Sequence, residues 1–268
     1  MNTLELNGFT RAWRSLGRAL PRPRAILAIS AHWFIDVTAV TAMERPRTIH
    51  DFYGFPKPLF DFQYPAMGSP EVAQEVIEAV KPTWVGQDHD QWGLDHGTWS
   101  VLAHLYPEAD VPVIQLSINA LQPFDYHLEL GAALASLRDT GILILSSGNV
   151  VHNLRLVDRN QPEEGADWAH RFDEAVVNQM INDPWSIPRL QEHPDFAKAV
   201  PTPDHFIPLL YTAGVAASEG KAQPLVQGYS LGSLSMTSYN VGPEIELPCE
   251  AEGSAALPAQ MLADQTNT

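Results

Sequence analysis

Three consecutive segments decide the fold: Val111-Pro-Val-Ile-Gln-Leu-Ser-Ile118, the amphipathic stretch Phe124–Leu137, and Gly141-Ile-Leu-Ile-Leu-Ser-Ser147. The outer two are apolar runs of strand length and the middle one has a helical period, which together read as a βαβ unit with buried strands. Upstream, Ala25-Ile-Leu-Ala-Ile-Ser30 is a third continuous apolar run, as expected of a strand covered on both faces. Phe9–Leu20 carries Phe9, Trp13, Leu16 and Leu20 on one helical stripe and is stopped by Pro21 and Pro23. Val37–Ala42 fits a further strand. Helices are expected over Pro70–Val80, Thr98–Tyr106 and Trp168–Ile181, and from Thr202-Pro-Asp through Ala217, with short strands at Pro224–Tyr229 and Ser233–Asn240. This alternation predicts an α/β protein: a single domain with a central mixed or parallel β-sheet flanked by helices. Glu44–Pro70, with five prolines, two glycines and many aromatics, reads as a long loop ordered by its aromatic content.

The chain has 268 residues, 45% of them hydrophobic, which is enough for a sizeable core and excludes disorder as the default state. Thirty-two acidic residues against sixteen basic ones give a net charge of −16, so the long-range field repels nucleic acid and anionic lipid surfaces. Cys249 is the only cysteine, which excludes an internal disulfide. Met1–Gly8 has neither a basic nor an apolar leader region, and no apolar run approaches the ~18 residues of a membrane span. A cytoplasmic protein is expected. Pro243–Thr268 holds five acids and no Lys or Arg, so residues 1–242 are expected to form the domain and 243–268 an acidic, disordered tail.

The chemistry points to the histidines. His32 and His152 follow the strands Ala25–Ser30 and Gly141–Ser147, His96 precedes a helix, and His205 falls in the first turn of one. In parallel sheets these ends share one edge, where ligands bind. Imidazole is a common ligand for Zn²⁺ and Fe²⁺, and a helix N-terminus holds His205 neutral, the form that donates a lone pair. There is no His-Glu-x-x-His, Cys-x-x-Cys, Walker or Gly-x-Ser-x-Gly pattern, so spacing alone does not define a metal site. Trp33, Phe34 and Trp99 are read as core. His50, His89, His104, His127, His170 and His193 are read as solvated or helix-face residues, and Gly54, Gly68 and Gly97 as turn glycines.

Ser30-Ala-His-Trp33, Thr48-Ile-His-Asp-Phe52, Gly54-Phe-Pro56, Trp92-Gly-Leu-Asp-His-Gly-Thr-Trp99, Ser147-Gly-Asn-Val-Val-His-Asn153, Thr202-Pro-Asp-His205 and Gly232-Ser-Leu-Ser-Met236 resemble motifs of one family. It is the DODA-type extradiol aromatic ring-opening dioxygenases of the class III superfamily, and the likeness runs in order from Met1 to about Gly242. The resemblance implies one divalent metal, Zn²⁺ or Fe²⁺, and a catechol-type, DOPA-like aromatic substrate opened with O₂. It places metal ligands at His32 and His205. It makes His152 either a further ligand or the acid/base beside the metal, and turns His96 toward substrate or oxygen. Thr48–Pro56 resembles a substrate-side loop. The family's first strand, whose Gly-His-Gly-Ser-Pro motif supplies the first metal ligand, would precede Met1. A start placed late at an internal methionine is the expected explanation, and the chain as read should hold metal more weakly. Two other readings stay open at this point: a zinc-binding or interaction protein that keeps the fold without the oxidation, and a zinc hydrolase. An oligomer is compatible with all three.

Overall fold

Strand β1 (Ala25–Ile35) runs through the middle of the computed structural model, which describes residues 2–220, 222–245 and 247. Its alternate side chains feed two cores. Ala25, Leu27 and Ile29 enter one, Ile26 and Ala28 the other, so the run is apolar at every position rather than at every second one. With β2 (Ala39–Thr41), β3 (Gly86–Asp88), β4 (Val113–Asn119) and β5 (Ile142–Ser147) it forms a sheet of order β3-β2-β4-β1-β5. β1 is parallel to both β4 and β5, while β2 pairs antiparallel with β4 through Val40 and Leu116, so the sheet is mixed.

The helices cover both faces. α1 (Gly8–Ala19) begins with a capping box in which the Asn7 side chain accepts from the Thr10 amide and the Thr10 hydroxyl accepts from the Asn7 amide. α2 (Pro70–Ala79) starts on the Ser69 cap with proline at its first position. α3 (His96–Leu105) and the loop aromatics Phe52 and Phe55 pack on the face carrying Ile26 and Ala28. α2, α4 (Phe124–Leu134), α5 (Asp167–Asn182) and α6 (Ile207–Glu219) pack on the other. The loop 44–70 is largely irregular, as expected, with one helical turn at Lys57–Phe60, and its Phe52, Leu59 and Tyr64 are fully buried.

Several expectations are corrected. The helix over 202–217 begins at Ile207, so His205 lies in the turn before it and not in its first turn. Residues 224–240 form four short strands rather than two: β6 (Ala222–Val226), β7 (Tyr229–Ser230), β8 (Leu234–Ser235) and β9 (Ser238–Val241). Positive φ at Gly228, Leu231 and Gly232 breaks the chain there, and β9 pairs back on β6. β5 is not buried as a run: only Ile142 is, because β5 stands at the sheet edge and pairs with β1 alone among the described strands. Apart from Pro243–Ile245 and Leu247, the acidic tail expected over 243–268 lies outside the described residues. No helix among the described residues is long and apolar enough to cross a membrane.

His104 and His127 are core residues and not solvated ones. His104 accepts at Nδ1 from Arg14 Nε (3.0 Å) and donates from Nε2 to the Asn2 carbonyl (2.9 Å), so both nitrogens are satisfied away from water. His127 on α4 is within 3.1 Å of the Tyr211 hydroxyl on α6, and burial depresses its pKa to about 4. Its folded pKa lies below the unfolded value, so the unfolded chain binds more protons between the two. The stability this neutral ring contributes is full above about pH 6.5 and is lost as pH falls toward about 4. We expect a loss of about 2 kcal/mol between about pH 8 and about pH 5. Urea midpoints across that range should fall less steeply for His127→Gln; identical slopes would place the titrating group elsewhere.

Candidate active site

His32 reaches the site through an irregularity in β1. The β1–β4 register runs from Ile29–Leu116 directly to Phe34–Ile118, so the extra residues of β1 bulge where His32 sits. His96 is the first residue of α3, capped by Asp95, whose carboxylate accepts from the Thr98 amide at 3.1 Å. Asp95 is fully buried. It also accepts from the Ser30 hydroxyl at 2.7 Å and from the Gln115 side-chain amide, tying α3 to β1 and β4 beneath the two histidines. Gly97 serves close approach rather than a turn: a Cβ there would lie 2.8 Å from His32 Cδ2 and 2.4 Å from Ser30 Oγ. Gly148, after β5, allows the same closeness to the segment carrying His205, since a Cβ would sit 2.5 Å from the His205 carbonyl oxygen. His152 follows in that turn, its amide donating to the Ala199 carbonyl at 2.9 Å.

All four histidines singled out in the sequence come together. Ring centroids are 3.9 Å apart for His32 and His96, 5.3 Å for His32 and His205, and 3.6 Å for His152 and His205, the last pair stacked in parallel. They line one cavity of about 840 Å³ that continues along the outer edge of β5 toward Tyr239 and Val241 of β9. Phe55 from the 48–56 loop also lines it, and Phe52 meets the His96 ring edge-on at 5.2 Å, whereas Tyr53 is exposed. Trp33 and Trp99 are buried, as expected of core; Phe34 is half-buried.

Two carboxylates that the sequence reading missed stand behind these rings. Asp51 Oδ2 lies 3.1 Å from His32 Nδ1 and 3.0 Å from His96 Nδ1, and its Oδ1 accepts the His96 backbone amide at 2.9 Å. Asp204 Oδ2 contacts His205 Nδ1. Asp204 was legible as the neighbour of His205. Asp51 lies inside the Thr48–Phe52 motif but far in sequence from both of its partners, so no local spacing pointed to it.

The electrostatics follow from burial and these pairs. Burial pushes the Asp51 pKa up, but hydrogen bonds from His32 and His96 outweigh it and hold the carboxyl well below the usual range. Burial opposes protonation of His32, yet the hydrogen bond to Asp51 and the charges of Asp51, Asp95 and Asp204 raise its pKa overall. Burial lowers the pKa of His96, with His32 adding to the effect. Burial and the stacked His205 hold His152 well below the ordinary imidazole value. His205 is also lowered, by burial in spite of Asp204, so its neutrality does not come from a helix terminus. Three of the four rings are thus kept in the neutral form that accepts a proton or donates a lone pair. His32, Asp51 and His96 each present a ligand-type atom within 4.8 Å of the other two. Asp51 Oδ2 and His96 Nδ1 are buried and face each other at 3.0 Å, off the alignment of a full hydrogen bond.

Residues 4–242 match the family model described as the catalytic LigB subunit of aromatic ring-opening dioxygenase. The chain belongs to this family. It is 47% identical over 249 residues to the 4,5-DOPA dioxygenase extradiol of Escherichia coli (strain K12), covering 90% of this chain and 91% of that protein. It is 36% identical over 244 residues to the 4,5-DOPA dioxygenase extradiol of Beta vulgaris, covering 86% and 87%. A crystal structure of an uncharacterized protein from Escherichia coli K12 superimposes with a TM-score of 0.78 at 42% identity, covering 89% of this chain and 94% of that one. The protein is therefore an extradiol ring-cleavage dioxygenase of the DODA type, and the fold expected from the alternating segments is the fold of this family. The readings as a zinc hydrolase or a non-oxidative zinc protein are set aside.

Proposed function

We propose that the protein opens the ring of a catechol-type, DOPA-like aromatic with O₂, using one divalent cation, Fe²⁺ or Zn²⁺, held by His32 and His205, with His152 beside it. The observation that carries this reading is the convergence of four imidazoles from four distant segments on one cavity, three of them backed by carboxylates at Nδ1. A carboxylate behind Nδ1 fixes the ring and leaves Nε2 as the ligand atom, the usual outer arrangement of a metal-bound histidine. His32 belongs to both possible donor sets. Its Nδ1 faces Asp51 and His96, which we read as the positioning side.

When bound, the cation supplies a Lewis acid that lowers a phenol pKa and one centre at which both reactants meet. The protein's own residues do the rest. His152, neutral through burial, takes the second hydroxyl proton on a ring nitrogen and returns it as the ring opens. His96, fixed through its amide and Nδ1 by Asp51, presents its other nitrogen to substrate or oxygen. Phe55 gives the cavity an apolar wall on the loop side, with Phe52 packed edge-on against His96, which suits a flat aromatic ring. The acidic surface gives no attraction for nucleic acid, and a cytoplasmic location is the one we propose.

Anaerobic loading with Fe²⁺ or Zn²⁺, followed by addition of a catechol and air, tests the reading. A yellow ring-opened acid that requires the metal supports it; turnover of the metal-free protein would contradict it. Asp51→Ala should weaken metal binding by about 10–100-fold, because His32 loses its orienting partner. A metal titration with unchanged affinity would show that Asp51 serves only the fold.

A further inference from the structure

A further buried carboxylate, on α5, is not used by the ring-opening chemistry. Asp173 on α5 is 2% exposed and has no basic partner at hydrogen-bond distance among the described residues. Its carboxylate instead accepts three hydroxyls: Ser235 Oγ at 2.7 Å, Thr237 Oγ1 at 2.7 Å and Tyr229 OH at 3.1 Å. All three donors lie on residues 229–237, the segment that turns back at Leu231 and Gly232 to form β7 and β8. Burial raises the Asp173 pKa, and the three hydroxyls work against that rise.

The same segment holds His152 from the other side. Leu234 forms an antiparallel bridge with His152. The Asn153 amide donates to the Ser233 carbonyl at 3.2 Å and the Ser235 amide to the Val151 carbonyl at 3.0 Å, so the residues on either side of His152 are both tied to residues 233–235, at β8 and the residue before it. The Asn149 side chain donates to the Ser235 carbonyl at 2.6 Å. Ser235 is therefore shared: its backbone grips the turn that carries His152, and its hydroxyl is gripped by Asp173. The other three histidines do not depend on this segment. His32 and His96 are held by Asp51 and the Asp95 network, and His205 by Asp204.

The geometry points to Asp173 as a positioning residue that acts on turnover through β8 and His152, without touching the substrate. This inference rests on the proposed role of His152 in proton transfer. Removing one acceptor oxygen should loosen Ser235 and Thr237 and let the His152 turn drift, and small displacements of a proton-transfer group lower the rate while leaving binding intact. A purely structural carboxylate would instead lower the active fraction whether or not His152 is present.

The test is a double-mutant cycle on the metal-loaded protein, with rates normalised to bound metal. Asp173→Asn should lower kcat by about tenfold with KM changed less than about twofold, and in a His152→Ala background it should cost less than about twofold further. Unchanged kcat, or the same tenfold loss in both backgrounds, would overturn the inference. If Asp173→Asn fails to fold, Ser235→Ala, which deletes one of the three donors, should show the same non-additivity with a smaller loss. A second readout needs no reaction. In the metal-free protein, amide exchange at Asn153 and Ser235 should speed up in either variant while α3 amides keep their protection. Unchanged exchange at Asn153 would overturn the inference. A wild-type protein that opens no catechol under any metal would overturn the proposed reaction instead, and the exchange result would still decide whether Asp173 holds the His152 turn.

Discussion

Replacing His205 by alanine is expected to weaken binding of Fe²⁺ or Zn²⁺ by more than about 100-fold, beyond the 10–100-fold typical of losing an outer partner. The reasoning is local. His205 is 7% exposed, its Nδ1 is occupied by Asp204, and its ring lies 5.3 Å from that of His32 across the cavity. Alanine removes one of the two proposed ligands and takes from the buried Asp204 the hydrogen-bond donor at its carboxylate, so the site loses a ligand and the acid behind it loses a partner. His32→Ala should behave alike, with Asp51 left to His96 alone. His96→Ala should leave metal stoichiometry intact and slow turnover, because its Nδ1 shares Asp51 with His32 without being needed to orient that ring. Metal content measured on gel-filtered protein separates the three, and loss in His32→Ala and His96→Ala with metal retained in His205→Ala would mean that the donor set is His32, Asp51 and His96 instead.

His152→Ala is expected to lower kcat by about 10²–10⁴-fold, the usual contribution of a positioned acid/base. His152 is suited to that work: it lines the cavity, and burial together with the stacked His205 keeps it unprotonated at neutral pH. An unprotonated base is ready to accept the catechol proton, whereas an imidazolium beside a cation would repel it. Metal content should stay near that of the wild type. If metal is lost along with activity, His152 is a ligand rather than a base, which is the other role the family resemblance allows it.

The sequence carried the sheet and the four histidines, but not what holds them. β1 and β4 were legible because both are buried on two faces, so their apolar runs are unbroken. β5 looked the same in sequence, yet edge position is a property of strand order, which no local pattern encodes. The helix containing Leu209–Val215 is legible, but Thr202-Pro-Asp has the composition of a cap without being one; the chain there makes turns, and the first helical residue is Ile207. His104 and His127 are buried for a reason that local sequence does not carry. A histidine on a helix looks polar in sequence, and only the partners Arg14, Asn2 and Tyr211 from distant segments show that it is satisfied in the core. Asp51 and Asp173 escaped notice for the same cause: each acts on residues tens of positions away. Gly97 was read as a turn glycine, although its role comes from the approach of α3 to His32.

The most direct test of a shared cation is an anomalous difference map from crystals loaded anaerobically with Fe²⁺ or Zn²⁺ and measured at the metal's absorption edge. The account predicts one peak per chain inside the histidine cavity, within bonding distance of the Nε2 atoms of His32 and His205. A peak seated instead between the Nδ1 atoms of His32 and His96 and the Asp51 carboxylate, or none in the cavity at full loading, would contradict it.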